Sequence, residues 1–124
     1  LHKAIRRQRQ MCIRDSAYTF HEGFAHLLSY QATEIDCVDW HTPQLTEVAA
    51  ASRAKLRLAL TETDPDRQKQ FLEEAVCGSY YEKFACMCGM LYLAGRWETQ
   101  GIDGLQSAFA DYHGFAQRAL SIRI

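Results

Sequence analysis

The sequence lacks the patterns that predict β-strands. No stretch of four or more residues alternates apolar and polar side chains with an enrichment in β-branched residues. Proline is scarce, and both prolines stand where a helix is predicted to begin rather than inside one. Internal repeats and low-complexity segments are absent too. These absences favour an all-α fold, which we predict to be a bundle of four to six helices.

Long apolar segments are also missing. The longest unbroken apolar run covers 84–94, well short of the roughly 20 residues that a transmembrane helix needs. The run therefore predicts a buried core helix, and we expect no membrane partner. The basic segment at 1–10 is not followed by the apolar stretch of a secretory signal peptide.

The net charge of −1 hides an uneven distribution. Residues 1–16 carry five basic side chains and one acidic side chain, which leaves a net charge of −5 on residues 17–124. A basic arm could contact nucleic acid, but the acidic remainder argues against that partner. Residues 11–16, MCIRDS, resemble the translated sequencing adapter that recurs in metagenomic sequences. We therefore treat 1–16 as a candidate non-native leader and 17–124 as the domain.

The five cysteines are an odd number, and their spacing does not suggest the paired framework of small secreted proteins. Cys86 and Cys88 form a poor metal chelate on a helix, because side chains two positions apart point about 200° away from each other. We expect reduced thiols that pack as small hydrophobic groups, which favours a cytoplasmic location.

Two start signals place the middle helices. Thr42 and Asp64 each precede a proline, and this pairing predicts the beginning of the second and third helices. The fourth predicted helix is apolar nearly all round and should be the most buried element. This fourth helix is predicted to cover 79–99. The first predicted helix covers 17–33, and one or two shorter helices cover 104–120, with a break at residues 113–114.

The segment TFHEGFAHLLSY at 19–30 places two histidines around a glutamate. Zinc hydrolases have three protein ligands and an open fourth position, where the metal acidifies a bound water. In the common motif, histidines four apart on a helix reach one ion and a neighbouring glutamate takes the proton. His21 and His26 are five apart, so a regular helix turns them about 140° away from each other. Their convergence requires a π-bulge, which Gly23 would ease.

A third ligand is needed, and Glu82 is the best placed by context. It stands at the predicted start of the most apolar helix, where a carboxylate is costly to bury unless a cation holds it. A metal would satisfy Glu82, and so would exposure at the helix N-terminus, where the dipole favours negative charge. Glu74 is the second candidate.

The spacing of these residues resembles the gluzincin zinc metallopeptidases. A His-Glu-x-x-x-His motif is followed 56 residues later by a helical glutamate, and the six-residue motif is similar to that of dipeptidyl peptidase III. The segment 82–85 also resembles the Glu-Gly-x-Ala segment that carries the third ligand. Ala25 and Lys83 depart from this pattern, because both stand where the family has glycine.

The resemblance implies the C-terminal helical half of a gluzincin catalytic domain. It implies Zn²⁺ held by His21, His26 and Glu82, with Glu22 as the general base. It also implies hydrolysis of a peptide bond in a peptide or protein substrate. The strand that holds the substrate in this family is not found upstream of residue 17, so an N-terminal portion of the same enzyme is a further expected partner.

Such a hydrolase also needs a donor that stabilises the oxyanion. We expect Tyr112 or His113, because the kinked C-terminal segment could fold over the site, and Tyr80, Tyr81 and His41 are further candidates. One alternative is a non-catalytic helical structural or interaction domain without metal. Another is a carboxylate-bridged di-metal bundle, which normally needs two Glu-x-x-His pairs.

Overall fold

The computed structural model describes residues 16–17, 19–110 and 114–120. These residues form six α-helices and no strand, so the predicted all-α fold is confirmed. The helices are α1 (16–17 and 19–29), α2 (Pro43–Thr61), α3 (Pro65–Val76), α4 (Phe84–Gln100), α5 (Ile102–Ala110) and α6 (Phe115–Ala119). Single 3₁₀ turns cover Tyr30–Ala32, Ile35–Cys37 and Tyr80–Glu82.

Both predicted proline starts are confirmed. The Thr42 hydroxyl accepts a hydrogen bond from the Leu45 backbone N–H at 3.2 Å, and Pro43 follows as the first helical residue. This cap satisfies one of the backbone donors that a helix start leaves unpaired. Asp64 stands at the equivalent position before α3, but its side chain makes no capping hydrogen bond.

Helix α4 is the central element, as its composition predicts. Every residue from Phe84 to Leu91 is buried, and α2, α3, α5 and α6 pack around the helix. Burial of this apolar surface is the main favourable term in folding. The helix begins at Phe84 rather than at the predicted residue 79, because 80–82 form a separate 3₁₀ turn.

Helices α1 and α4 touch through their backbones. A Cβ atom added to Gly23 would lie 2.6 Å from the carbonyl carbon of Gly89, and one added to Gly89 would overlap the carbonyl oxygen of Thr19. Only glycine permits an approach this close. Thr19 and Gly23 lie at Gly89, while His26, further along α1, lies near Cys86, earlier in α4. The two helices are therefore antiparallel, as expected.

Ser16 of α1 also contacts α6. The Ala116 backbone N–H donates a hydrogen bond to the Ser16 hydroxyl at 3.2 Å, and both residues are buried. This contact joins α6 to α1 across 100 positions of sequence. No helix in the described ranges has both the length and the apolar character needed to cross a membrane.

Candidate metal centre

Glu22, His26 and Cys86 bring their ligand atoms within 4.8 Å of one another. Glu22 and His26 are four residues apart on α1, so they share one face of the helix. Cys86 lies across from them on α4, three residues before Gly89. In the part of the chain that the structure describes, this is the only such group of three or more His, Cys, Asp and Glu side chains. The glycine contact brings the two ligand-bearing helices together.

The orientation of His26 is set by its own helix. Its Nδ1 atom lies 2.6 Å from the backbone carbonyl oxygen of Glu22. A carbonyl oxygen only accepts hydrogen bonds, so Nδ1 carries the proton and Nε2 keeps the lone pair of the neutral ring. In metal sites, a ligating histidine almost always uses its other ring N–H in this way. The imidazole is therefore held in the tautomer that ligation through Nε2 requires.

The cluster is closed on one side and open on the other. Cys86 is fully buried, and its thiol donates a long hydrogen bond of 3.7 Å to the Ala75 carbonyl oxygen. Glu22 and His26 are half-buried. The ring of Tyr80, which is 37 % exposed, lies 5.2 Å from the imidazole of His26. Solvent can therefore reach the cluster from the α1 side.

Burial, together with the nearby Glu22 carboxylate, raises the pKa of Cys86 to about 11, while Lys83 opposes the change. Cysteine, histidine and glutamate also form the nucleophilic triads of thiol hydrolases, so this alternative has to be compared with metal binding. A nucleophilic cysteine needs a lowered pKa and an accessible sulfur. Cys86 has a raised pKa and a buried sulfur, so the arrangement does not favour a thiol hydrolase.

His21 does not belong to the cluster. The predicted π-bulge is wrong, because 19–29 are α-helical throughout. Gly23 serves the contact with Gly89 rather than a local distortion, and an undistorted helix suits that packing. His21 is therefore exposed on another face of α1, with its ring edge-on to Phe20 at a centroid distance of 5.3 Å.

Neither predicted carboxylate of the third-ligand position joins the cluster. Glu82 is exposed in the 3₁₀ turn that precedes α4, so its predicted position on the helix is wrong. The turn ends at Lys83, which is the N-cap residue of α4. Glu74, the second candidate, forms an ion pair with Lys55 at 3.2 Å.

The candidate oxyanion donors are spread over several places. Tyr80 borders His26, whereas the Tyr81 hydroxyl is 3.0 Å from the Tyr30 hydroxyl. His41 pairs with Glu98 at 2.8 Å. The two preferred candidates, Tyr112 and His113, lie outside the described residues.

Cys86 is the cluster residue that sequence reasoning missed. The two glycines at the contact between α1 and α4 were a sequence signal for this cluster. Gly23 lies between Glu22 and His26, and Gly89 lies one turn after Cys86. Recognising it required the pairing of α1 with α4, which no local pattern supplies.

Comparison with protein-family models, with curated proteins and with solved structures finds no match for this chain. The resemblance to gluzincins stays a prediction from motif spacing. The chemistry and geometry of the cluster are therefore the basis for assigning a function.

Proposed function

We propose that this protein binds Zn²⁺ through Glu22, His26 and Cys86. The observation that carries the proposal is the approach of three different ligand atoms to within 4.8 Å of one another. Thiolate, imidazole and carboxylate are the three protein ligand types that zinc takes. Magnesium and calcium prefer oxygen-only sites, so the thiol favours zinc over either of them.

The spacing of the three groups suits a metal after a small adjustment. Ligand atoms bound to tetrahedral zinc at 2.0–2.3 Å are about 3.5 Å apart. The limit of 4.8 Å in the cluster exceeds this separation by about 1 Å. Rotation of the half-buried Glu22 and His26 side chains can supply that change, whereas Cys86 is fixed by packing.

Zinc in this position would stabilise the fold, because it would join α1 to α4 beside the glycine contact. A second candidate function is metal-dependent hydrolysis, which the open α1 side of the cluster favours. Three protein ligands leave a fourth position for a water whose pKa zinc lowers. Glu22 would then be a ligand rather than the general base that the motif predicts.

Titration of the purified, reduced protein with Co²⁺ and Zn²⁺ tests the proposal. Co²⁺ in a tetrahedral site with one thiolate gives a charge-transfer band in the near ultraviolet, and Zn²⁺ should displace it at one equivalent. The variants His26→Ala and Cys86→Ala should lose the band or weaken binding by about tenfold or more, because even the loss of a group that only orients a ligand typically costs about 10–100-fold.

Neighbouring residues of the same types provide matched controls. His21→Ala and Cys88→Ala should bind Co²⁺ as the wild type does, with circular dichroism as the check that each variant is folded. Loss of binding in His21→Ala and Glu82→Gln with retention in Cys86→Ala would support the gluzincin ligand set instead. Absence of stoichiometric binding by the folded wild-type protein would overturn the proposal.

A further inference from the structure

A second site lies away from the metal cluster, between the loop that follows α1 and the C-terminal end of α4. It is a surface cavity of about 490 Å³. The residues that line it come from these two segments: Ile35, Asp36, Val38, Trp40, Trp97, Glu98 and Gly101. Both tryptophans of the whole chain are among them. Trp40 is buried, whereas Trp97 is half-buried and offers an accessible aromatic surface of the kind that is typical of ligand sites.

The cavity has a negative electrostatic character. Asp36 and Glu98 line it, and no lysine or arginine does. The loop segment 34–41 carries three acidic side chains and no lysine or arginine. Gly101 marks the C-terminal end of α4, where the carbonyl groups of the last turn add a negative partial charge. All three features favour a cationic ligand.

The carboxylates of Asp36 and Glu98 are held in place by hydrogen bonds and can still accept others. One oxygen of Asp36 accepts a hydrogen bond from the Trp97 indole N–H at 2.7 Å. The Glu98 carboxylate lies 2.8 Å from Nε2 of His41. Each ionised carboxylate has about four lone-pair positions, so further N–H donors can still be accepted. The ordering of both groups lowers the entropic cost of binding.

A bare metal ion fits these observations less well than an organic cation. Asp36 and Glu98 do not belong to any group of three metal-ligand side chains in the described residues. The volume is also far larger than one ion, and the indole walls offer no metal ligand. A planar guanidinium can stack on an indole face and donate N–H groups to carboxylates at the same time.

We propose that this cavity binds an alkylguanidinium, as carried by an arginine side chain or a free guanidino compound. The site is independent of the metal centre and of its function. Binding is expected to be weak, because the cavity is open and its carboxylates are partly exposed.

The test uses ¹⁵N-labelled protein, in which the two tryptophans give two indole N–H signals. Titration with N-acetyl-arginine amide at constant ionic strength should shift the Trp97 signal along a saturable curve. N-acetyl-citrulline amide has nearly the same shape without the charge, and should bind at least about fivefold more weakly.

Two variants remove charge and keep the hydrogen bonds. Asp36→Asn retains an acceptor for the Trp97 indole, and Glu98→Gln retains one for His41. Each should weaken binding of the arginine compound by about threefold to tenfold. Glu34→Gln removes an acidic group of the same loop that does not line the cavity, and should weaken binding less than either of these variants does.

Three results would overturn the proposal. They are the lack of a saturable shift with the arginine compound, equal binding of the citrulline compound, and unchanged binding in both Asp36→Asn and Glu98→Gln. Binding of N-acetyl-lysine amide as tight as that of the arginine compound would overturn the assignment to guanidinium.

Discussion

Gly23 on α1 and Gly89 on α4 meet backbone to backbone. This contact brings ligand atoms of Glu22 and His26 on one helix within 4.8 Å of the Cys86 sulfur on the other. A side chain at either glycine would separate the helices, so the candidate metal centre depends on two residues that contribute no ligand.

Gly89→Ala should destabilise the protein strongly, because the new methyl group would overlap the Thr19 carbonyl oxygen. We expect a loss of about 3 kcal/mol or more in the free energy of unfolding, at the upper end of overpacking effects. Chemical denaturation monitored by circular dichroism measures it.

Gly95→Ala on the same helix is the matched control. Apart from the nearby backbone of α4 itself, no atom lies within 4 Å of a Cβ at that position. Alanine should therefore raise the free energy of unfolding by about 0.5–1 kcal/mol through its higher helix propensity. A similar loss of unfolding free energy in Gly89→Ala and Gly95→Ala would contradict the role of the contact between Gly23 and Gly89.

Thr42→Ala should remove the cap of α2. The Leu45 N–H loses its hydrogen bond, and we expect a cost of about 1 kcal/mol. Asp64→Ala removes the equivalent residue of α3, whose side chain makes no capping bond, and should cost less than about 0.5 kcal/mol. Urea denaturation of both variants checks the difference, and a larger loss in Asp64→Ala would refute the assignment.

Stability should fall at alkaline pH. Burial raises the pKa of Cys88 to about 12, from 9.0 for an unperturbed thiol. The unfolded thiol therefore loses its proton first, and the stabilisation present below pH 9 is lost as the pH rises towards 12. Burial and the Tyr81 hydroxyl also raise the pKa of Tyr30, which acts in the same direction.

Denaturation midpoints measured between pH 8 and pH 11 test this dependence. The wild type should lose stability steadily above pH 9, and Cys88→Ala should show a shallower decline. Equal slopes in the two proteins would exclude a contribution from the buried thiol.

His26 and His41 should adopt opposite tautomers. His26 donates from Nδ1 to the Glu22 carbonyl oxygen, whereas His41 donates from Nε2 to the Glu98 carboxylate. Long-range ¹H–¹⁵N correlation spectra at about pH 8.5, above the ordinary imidazole range, should show this contrast. An Nε2–H tautomer at His26 would remove the argument that this ring is oriented for a metal.

Features that depend on neighbouring residues were predictable from the sequence. Thr42 with Pro43 marks a helix start through local stereochemistry, and the apolar run at 84–94 indicates burial without knowledge of its partners. The predicted position of Glu82 failed because the break between the 3₁₀ turn and α4 has no strong sequence signal.

The cluster of Glu22, His26 and Cys86 could not be predicted without knowing which helices pack together. The spacing of His21 and His26 suggested convergence only through a π-bulge, and the helix stays regular where it packs on α4. Cys86 reaches His26 through a pairing of segments far apart in the chain, so no short motif contains both residues.

The contact between Gly23 and Gly89 also sets an order of events during synthesis. Gly23 precedes its partner by 66 positions, which a ribosome adds in roughly 3–13 s at typical rates. During that interval the face of α1 that carries Gly23 has no α4 to cover it. A nascent chain of this protein is therefore most exposed to chaperones and to aggregation before its fourth helix emerges.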